Sequence, residues 1–150
     1  MSWMDARFQA RHAFQLTATQ DLTGATGVLG TFRSPYPKIE IISLVLHAVA
    51  AFPNSGTMST KPVVKLRKTP SGGSIADLNA VALISPDYSQ LINQSVVVDL
   101  DANKNTTPVK DVAAYPTMTD DDLLSISITT SGIGGTQSAA FSIVYREIEA

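Results

Sequence analysis

The chain has 150 residues, the usual length of one domain, and its 44% hydrophobic and 16% charged content excludes a wholly disordered chain. A formal net charge of −2 gives no basic field to attract phosphate backbones, so we expect no nucleic-acid partner. No cysteine is present, which excludes disulfides, thiolate catalysis and cysteine metal ligands.

Two segments are relevant to export and to membrane insertion, because they are the places where a signal peptide or a membrane-spanning helix would be expected. Residues Met1–Arg7 lack the apolar core of a secretory signal. The most apolar stretch, Ile39–Phe52, contains Glu40 and His47 and is shorter than the ~20 residues that a membrane-spanning helix needs. We therefore expect a soluble protein made in a cytoplasm, with no membrane partner.

The first third of the chain predicts strands separated by turns. Apolar residues alternate with polar ones from Phe8 to Ala18, which is the two-residue period of a strand. Residues 1–20 are expected to form an N-terminal segment, either an arm or a first strand, and residues 21–150 one β-sandwich domain. Gly24, Gly27 and Gly30 are interpreted as loop glycines, and Ser34–Pro37 as a turn.

The middle of the chain contains its densest apolar run. Its β-branched residues favour a strand over Ile39–Phe52, with a helix at Ile42–Val49 as the alternative. Further strands are predicted at Val63–Lys68 and Ile75–Ile84, and a short helix at Asp87–Asn93. Within Val63–Lys68, Lys65 and Arg67 share one face, which we interpret as solvated.

The last third predicts three strands, at Ser95–Leu100, Ser125–Thr130 and Ala139–Tyr145. The last two are expected to be neighbours in a hairpin across a glycine-rich turn. The complete pattern predicts an all-β chain, an antiparallel β-sandwich or jelly roll with about eight strands. Ile41–Leu46 and Val96–Val98 are apolar at successive positions, which indicates that both faces of those strands are covered, by the N-terminal segment or by another subunit.

No constellation of residues predicts catalysis. His12 and His47 lie in predicted strands and are interpreted as structural, and the G-x-S-x-G and H-E-x-x-H motifs are absent from the sequence. Asp99–Asn105 begins like a calcium loop, but Lys104 and Lys110 replace its glycine and its bidentate glutamate. Asp120–Asp122 is interpreted as a turn that opens the next strand. We therefore expect no catalytic residue, metal ion or cofactor.

The N-terminus offers the only candidate contact residues. Trp3, Met4 and Phe8 place large apolar side chains in the first few residues. Aromatic and methionine side chains are enriched where proteins meet partners, so these three residues are candidate partner contacts. Docking of the segment back onto its own domain is the alternative.

A family resemblance rests on four stretches, Val96–Leu100, Tyr115–Met118, Asp121–Ile128 and Phe141–Tyr145. Their order, a strand, a proline turn, an acidic turn that opens a strand, and a closing apolar strand with tyrosine, resembles the small jelly-roll decoration (cement) proteins of tailed-phage capsids. The same order also resembles trimeric receptor-binding heads of phage fibres.

The resemblance implies a non-enzymatic virion structural protein that decorates and stabilises a bacteriophage capsid. Its implied partners are itself, as a homotrimer, and the major capsid protein, and its implied location is the capsid surface of the virion. A receptor- or carbohydrate-binding head domain of a phage fibre is the first alternative, and a small hydrolase on a β scaffold is the second.

Overall fold

The computed structural model describes residues 8–22, 27–48, 63–82, 94–103, 113–128 and 138–150, and β-strands make up most of these ranges. In these ranges the strands are β1 (Arg11–Asp21), β2 (Gly27–Phe32), β3 (Lys38–Ala48), β4 (Val63–Thr69), β5 (Ala76–Ala82), β6 (Gln94–Asp99), β7 (Thr117–Thr119), β8 (Leu123–Ile128) and β9 (Ser138–Glu147). The all-β prediction is confirmed. The alternative helix from Ile42 is wrong, because β3 continues to Ala48. No helix in these ranges has the length and hydropathy to cross a bilayer.

The strands form two antiparallel sheets in the order of a jelly roll. The first sheet runs β1-β9-β3-β6, with β7 pairing with β3, and the second runs β2-β8-β4-β5. Consecutive strands lie in different sheets except for β4 and β5, which share the second sheet, and β6 and β7, which share the first; this is the wrapping of two Greek keys. The predicted β-sandwich or jelly roll is therefore confirmed.

The core lies between the sheets and follows the two-residue period of the strands. In β8, Leu124, Ile126 and Ile128 point into the core and alternate with Ser125 and Ser127 on the outer side. The largest fully buried side chains come from both sheets and the segments between them; they are Leu22, Ile39, Ile41, Leu44, Leu66, Met118, Leu124, Ile126 and Phe141. At roughly 25 cal/mol per Å² of buried apolar area, this layer is the main source of stability.

A β-bulge explains the apolar run in β3. The pairing of β3 with β9 shifts register between Ile41 and Ser43. Ile39 and Ile41 face the core before the shift, and Leu44 and Leu46 face it afterwards, so the inward positions change from odd to even numbers. The run therefore joins two alternating stretches, and it does not require a second layer over all of Ile41–Leu46.

The predicted hairpin of the last two strands is wrong. β8 lies in the second sheet between β2 and β4, whereas β9 lies in the first sheet between β1 and β3. Residues 129–137, which connect them, lie outside the described residues. A local alternation identifies each strand but says nothing about which strand lies beside it, because the pairing depends on the rest of the chain.

The start of the domain also differs from the prediction. Phe8 and Gln9 are helical, and β1 begins at Arg11. Gly27 and Gly30 lie in strand β2, not in a loop. Gly27 has a φ of 88°, and a Cβ at Gly30 would overlap the carbonyl oxygen of Leu16 in β1. Glycine is thus needed where β2 passes against β1 at the corner of the sandwich. The short helix predicted at Asp87–Asn93 lies outside the described residues.

Candidate functional site

The outer face of the first sheet is the candidate interaction surface. Side chains that alternate with the core residues form rows across all four strands. One row is Gln15, Ser142, Val45 and Val97, from β1 to β6. The neighbouring rows are Ala13, Val144, Ser43 and Asp99 on one side, and Ala140, His47 and Ser95 on the other. We call these three rows the outer face.

The outer face is apolar at its β6 side. Val97 is 64% exposed, and it pairs directly with Val45 on the neighbouring strand. Val45 is half-buried, and Ala140 is buried between its neighbours. An exposed valine beside a second valine on a sheet surface leaves apolar area in water, and covering such area is favourable.

Charge is confined to the margins of the outer face. Asp99 is the one carboxylate in its three rows, and it lies at the β6 end of its row. At one end of the sheet, Arg146 and Glu40 pair across β9 and β3, with the Arg146 Nε donating to the Glu40 carboxylate. His47 is exposed, and its Nδ1 lies 2.8 Å from the Ser95 hydroxyl. The middle of the face is formed by alanine, serine, glutamine and valine, uncharged side chains whose burial avoids the larger cost of desolvating a charge.

The outer side of the second sheet has a different character, because it is charged. The Lys65 Nζ lies 3.1 Å from one Asp77 oxygen, and the Arg67 Nε lies 2.8 Å from the other. The hydrogen bond from Lys65 is the largest cause that holds the pKa of Asp77 below its ordinary value; desolvation opposes it, and the hydrogen bond from Arg67 lowers the pKa further. The prediction that Lys65 and Arg67 share an outward strand face is confirmed, and Asp77 offsets part of their charge.

An aromatic cluster occupies the corner where β1 meets β2; its members are His12, Phe14, Phe32, Tyr36 and Tyr145. The His12 ring stacks on Tyr145 with centroids 5.3 Å apart and lies 5.4 Å from Tyr36. Phe32 contacts both Phe14, at 4.7 Å, and Tyr145, at 5.3 Å. Burial raises the pKa of the Tyr145 hydroxyl above its ordinary value.

Local hydrogen bonds set the position of Tyr36 in this cluster. The Ser34 hydroxyl donates to the Tyr36 carbonyl at 2.7 Å and accepts from the Tyr36 N–H at 3.0 Å. The serine thus fixes the turn between β2 and β3 and directs the tyrosine towards β1 and β9. The sequence pattern does not predict this cluster. The alternation of His12 and Phe14 signals a shared face, but the three partner rings come from distant positions in the sequence.

The two acidic loops use their carboxylates to hold the backbone. Asp101 Oδ1 accepts from the N–H groups of Asn103, at 2.9 Å, and Ala114, at 2.8 Å. Asp122 Oδ2 accepts from the Thr119 N–H at 2.9 Å, immediately before β8 begins. The interpretation of Asp120–Asp122 as a turn that opens a strand is confirmed. In the described ranges no three potential metal ligands lie together.

The candidate contact residues at the N-terminus are only partly described. Trp3 and Met4 lie outside the described residues. Phe8 is half-buried and lies three positions before the start of β1. Contact of these three residues with a partner stays a prediction.

Comparison with known proteins gives no family. No protein-family model matches the chain, and no curated protein matches it. Among solved structures, that of infectious bursal disease virus strain Gx overlaps 91% of this chain and 31% of the viral chain, with a TM-score of 0.38 and 9% identity. That of strain Gt overlaps 93% and 34%, with a TM-score of 0.33 and 11% identity. This chain spans about a third of the length of each viral chain. Because TM-scores below 0.5 do not establish a common fold, the fold assignment rests on the strand order.

Proposed function

We propose that the chain is a non-enzymatic virion structural protein that decorates and stabilises a phage capsid as an oligomer. The observation that carries the proposal is the outer face of the first sheet, where Val97 is 64% exposed beside Val45 and charge lies at the margins. The jelly-roll order supports it as well, because viral capsid domains use this architecture. Lectins and cupins also use the jelly roll, so the surface properties, and not the fold, distinguish a capsid protein from these classes.

The outer face fits contact with other subunits better than capture of a small ligand. It is one open side of a four-stranded sheet with rows of mostly uncharged side chains, and such a surface can pack against a second protein surface over a wide area. Full burial of one valine contributes roughly 1.5 to 3 kcal/mol, so Val97 alone makes a useful contribution to association. The partners we propose are two further copies, in a homotrimer, and the major capsid protein. The proposed location is the capsid surface, after synthesis in the host cytoplasm.

The aromatic cluster argues against the carbohydrate-binding alternative. Sugar recognition by stacking needs an aromatic face that is open to the ligand. Here Tyr145 and Phe32 are buried, and the rings of His12, Tyr36 and Phe14 pack against them. The cluster consolidates the corner of the sandwich, with Phe14 alone reaching 40% exposure.

One pair of side chains has the residue types that the hydrolase alternative requires. His47 and Ser95 are within hydrogen-bond distance, as a base and a nucleophile must be. Both are exposed on an open sheet surface. Within the described residues, this surface does not form the enclosed environment in which hydrogen-bond donors stabilise a developing oxyanion. We interpret the pair as a cross-strand contact between β3 and β6.

Co-sedimentation with purified tailed-phage shells tests the proposal. The wild-type protein is expected to pellet with a matching shell and to raise the temperature at which that shell disassembles, because it binds the intact form. Val45→Asp should weaken both effects, since it places a charge in the middle of the outer face. Val28→Asp is the matched control, because Val28 is an exposed valine on the second sheet. Binding to a glycan array without binding to any shell would instead support a fibre head.

A further inference from the structure

Strand β6 is a regular strand at the edge of the first sheet. It pairs with β3 in unbroken register from Ser43 opposite Asp99 to Ala48 opposite Gln94. Within the described residues no strand lies on its other side. The Leu100 N–H donates to the Ile42 carbonyl at 3.0 Å, in the same register. Because hydrogen-bonded pairs alternate in an antiparallel ladder, the backbone groups of Ser95 and Val97 point away from β3.

The other edges of the sandwich carry features that discourage pairing along their length, whereas β6 carries one such feature, at its last residue. β1 has two register shifts along its pairing with β9, and β2 contains Gly27, Gly30 and a register shift. The pairing of β5 is shifted between Leu66 and Arg67, and it carries the charged Asp77. β6, with the sequence QSVVVD, has no proline, glycine, lysine or bulge, and its one charged residue, Asp99, is its last. Bulges, charges and prolines are the usual protection of an edge strand, so β6 is protected only at its Asp99 end.

We propose that β6 pairs antiparallel with β6 of a second copy, about a two-fold axis at Val97. This inference rests on the proposed function as an oligomeric structural protein, and it specifies one contact between copies. Val97 then lies opposite Val97 of the second copy, and Ser95 lies opposite Asp99 of the second copy. The outward N–H and C=O groups of the two β6 strands then form hydrogen bonds with each other, because an antiparallel strand pair is self-complementary under a two-fold axis.

The side chains of β6 are compatible with this register. The row that ends at Val97 continues into its symmetry copy, so that Val45 and Val97 of both copies form one apolar strip across the joined sheets. Asp99 of one copy lies opposite Ser95 of the other copy, whose hydroxyl can donate to the carboxylate. The two Asp99 carboxylates therefore do not lie opposite each other. The two aspartates are four residues apart along the strand pair, about 14 Å. That distance exceeds a Debye length of about 8 Å at physiological ionic strength, so their repulsion is screened.

The size of the contact determines where it acts. Six residues of strand extend about 20 Å, and a sheet edge about 10 Å deep gives a contact of a few hundred Å² per copy. A stable dimer buries about 800 Å² per partner, so the β6 contact alone is weak in dilute solution. It acts between copies that are already concentrated, as on a shell, and there it links neighbouring oligomers.

Disulfide cross-linking in the absence of shells tests the pairing, and the chain has no cysteine of its own to interfere. Hydrogen-bonded partners in an antiparallel pair have Cα atoms about 5.5 Å apart, which a disulfide spans. Val97→Cys is therefore expected to form a covalent dimer about tenfold or more faster than Val28→Cys at high protein concentration, because pairing raises the effective concentration of the thiols. Val28 has the same 64% exposure as Val97, so it measures random collision.

A second experiment checks the register. A mixture of Ser95→Cys and Asp99→Cys chains is expected to give the mixed dimer, whereas neither variant alone should dimerise efficiently, because its thiols lie about 14 Å apart. Equal rates for Val97→Cys and Val28→Cys would overturn the pairing, and so would efficient self-linking of Ser95→Cys. Neither result changes the expected outcome of the shell-binding experiment, so failure of the β6 contact is distinguishable from failure of the proposed function.

Discussion

Gly30 determines how closely β1 and β2 approach at the corner of the sandwich. A Cβ at this position would overlap the Leu16 carbonyl oxygen and lie 3.0 Å from the Thr17 Cγ2. Since the nearest atom belongs to the backbone, a side chain cannot be accommodated by rotating a neighbour. We predict that Gly30→Ala lowers the free energy of unfolding by about 1 to 3 kcal/mol, the usual effect of overpacking.

Urea unfolding measures this effect, with Thr31→Ala as the control. Thr31 is the next residue of β2 and is exposed, so its truncation should change stability by less than about 0.5 kcal/mol. Equal stabilities of Gly30→Ala and the wild type would show that the two strands do not approach as closely as described.

The pKa of Asp77 reports the charged surface of the second sheet. Its pKa is held low mainly by the hydrogen bond from Lys65 and then by that from Arg67. Because the folded pKa is depressed, the contribution of Asp77 to stability is present above its unfolded pKa of about 3.9 and is lost as the pH falls through the folded value. Lys65→Met should raise the Asp77 pKa more than Arg67→Met, in a carboxyl-carbon NMR titration. The opposite order would contradict the assignment of the main cause to Lys65.

At the scale of the strand, β3 shows what a sequence pattern can and cannot predict. Its β-branched residues predict a strand, and this is confirmed. The bulge between Ile41 and Ser43 is not visible in the pattern, because an apolar run of this kind is equally consistent with a strand buried on both faces. Most strands were thus predictable from the local pattern, whereas β2, whose Gly27 and Gly30 were interpreted as loop residues, and the three-residue β7 were not. The pairing of β9 with β1 and β3, and the aromatic cluster, were not, because they depend on contacts between distant residues.

Two neighbouring substitutions in β3 test the faces assigned to it. Leu44 is 2% exposed and faces the core, whereas Val45 lies on the outer face. Leu44→Asp is expected to prevent folding, because an unpaired buried charge costs several kcal/mol against a typical stability of 5 to 15 kcal/mol. Val45→Asp should retain the fold. Circular dichroism and urea unfolding compare the two, and loss of structure in both variants would contradict an outward Val45.

At the scale of the whole molecule, one sandwich explains most but not all of the apolar side chains. The core between the sheets contains the inward residues of both sheets, and the bulge in β3 accounts for most of the consecutive apolar run in that strand. Val28, Ile75 and Val97 remain in water, and Val97 differs from the other two because it pairs with a second valine, Val45. In an isolated chain the apolar area of Val97 and Val45 stays in contact with water. An assembly that covers this area is stabilised by roughly 25 cal/mol per Å².

We therefore predict that the protein is a homotrimer or higher oligomer whose contacts cover Val45 and Val97. Light scattering at micromolar concentration should give a mass near three times that of the 15.9 kDa chain. Val45→Asp should reduce this mass to that of the monomer without unfolding the chain, because the substituted side chain lies outside the core. Val28→Asp should leave the mass unchanged, since Val28 belongs to the second sheet. A wild-type mass of one chain that persists at higher concentration would contradict the oligomer. The exposed valines would then contact only the shell.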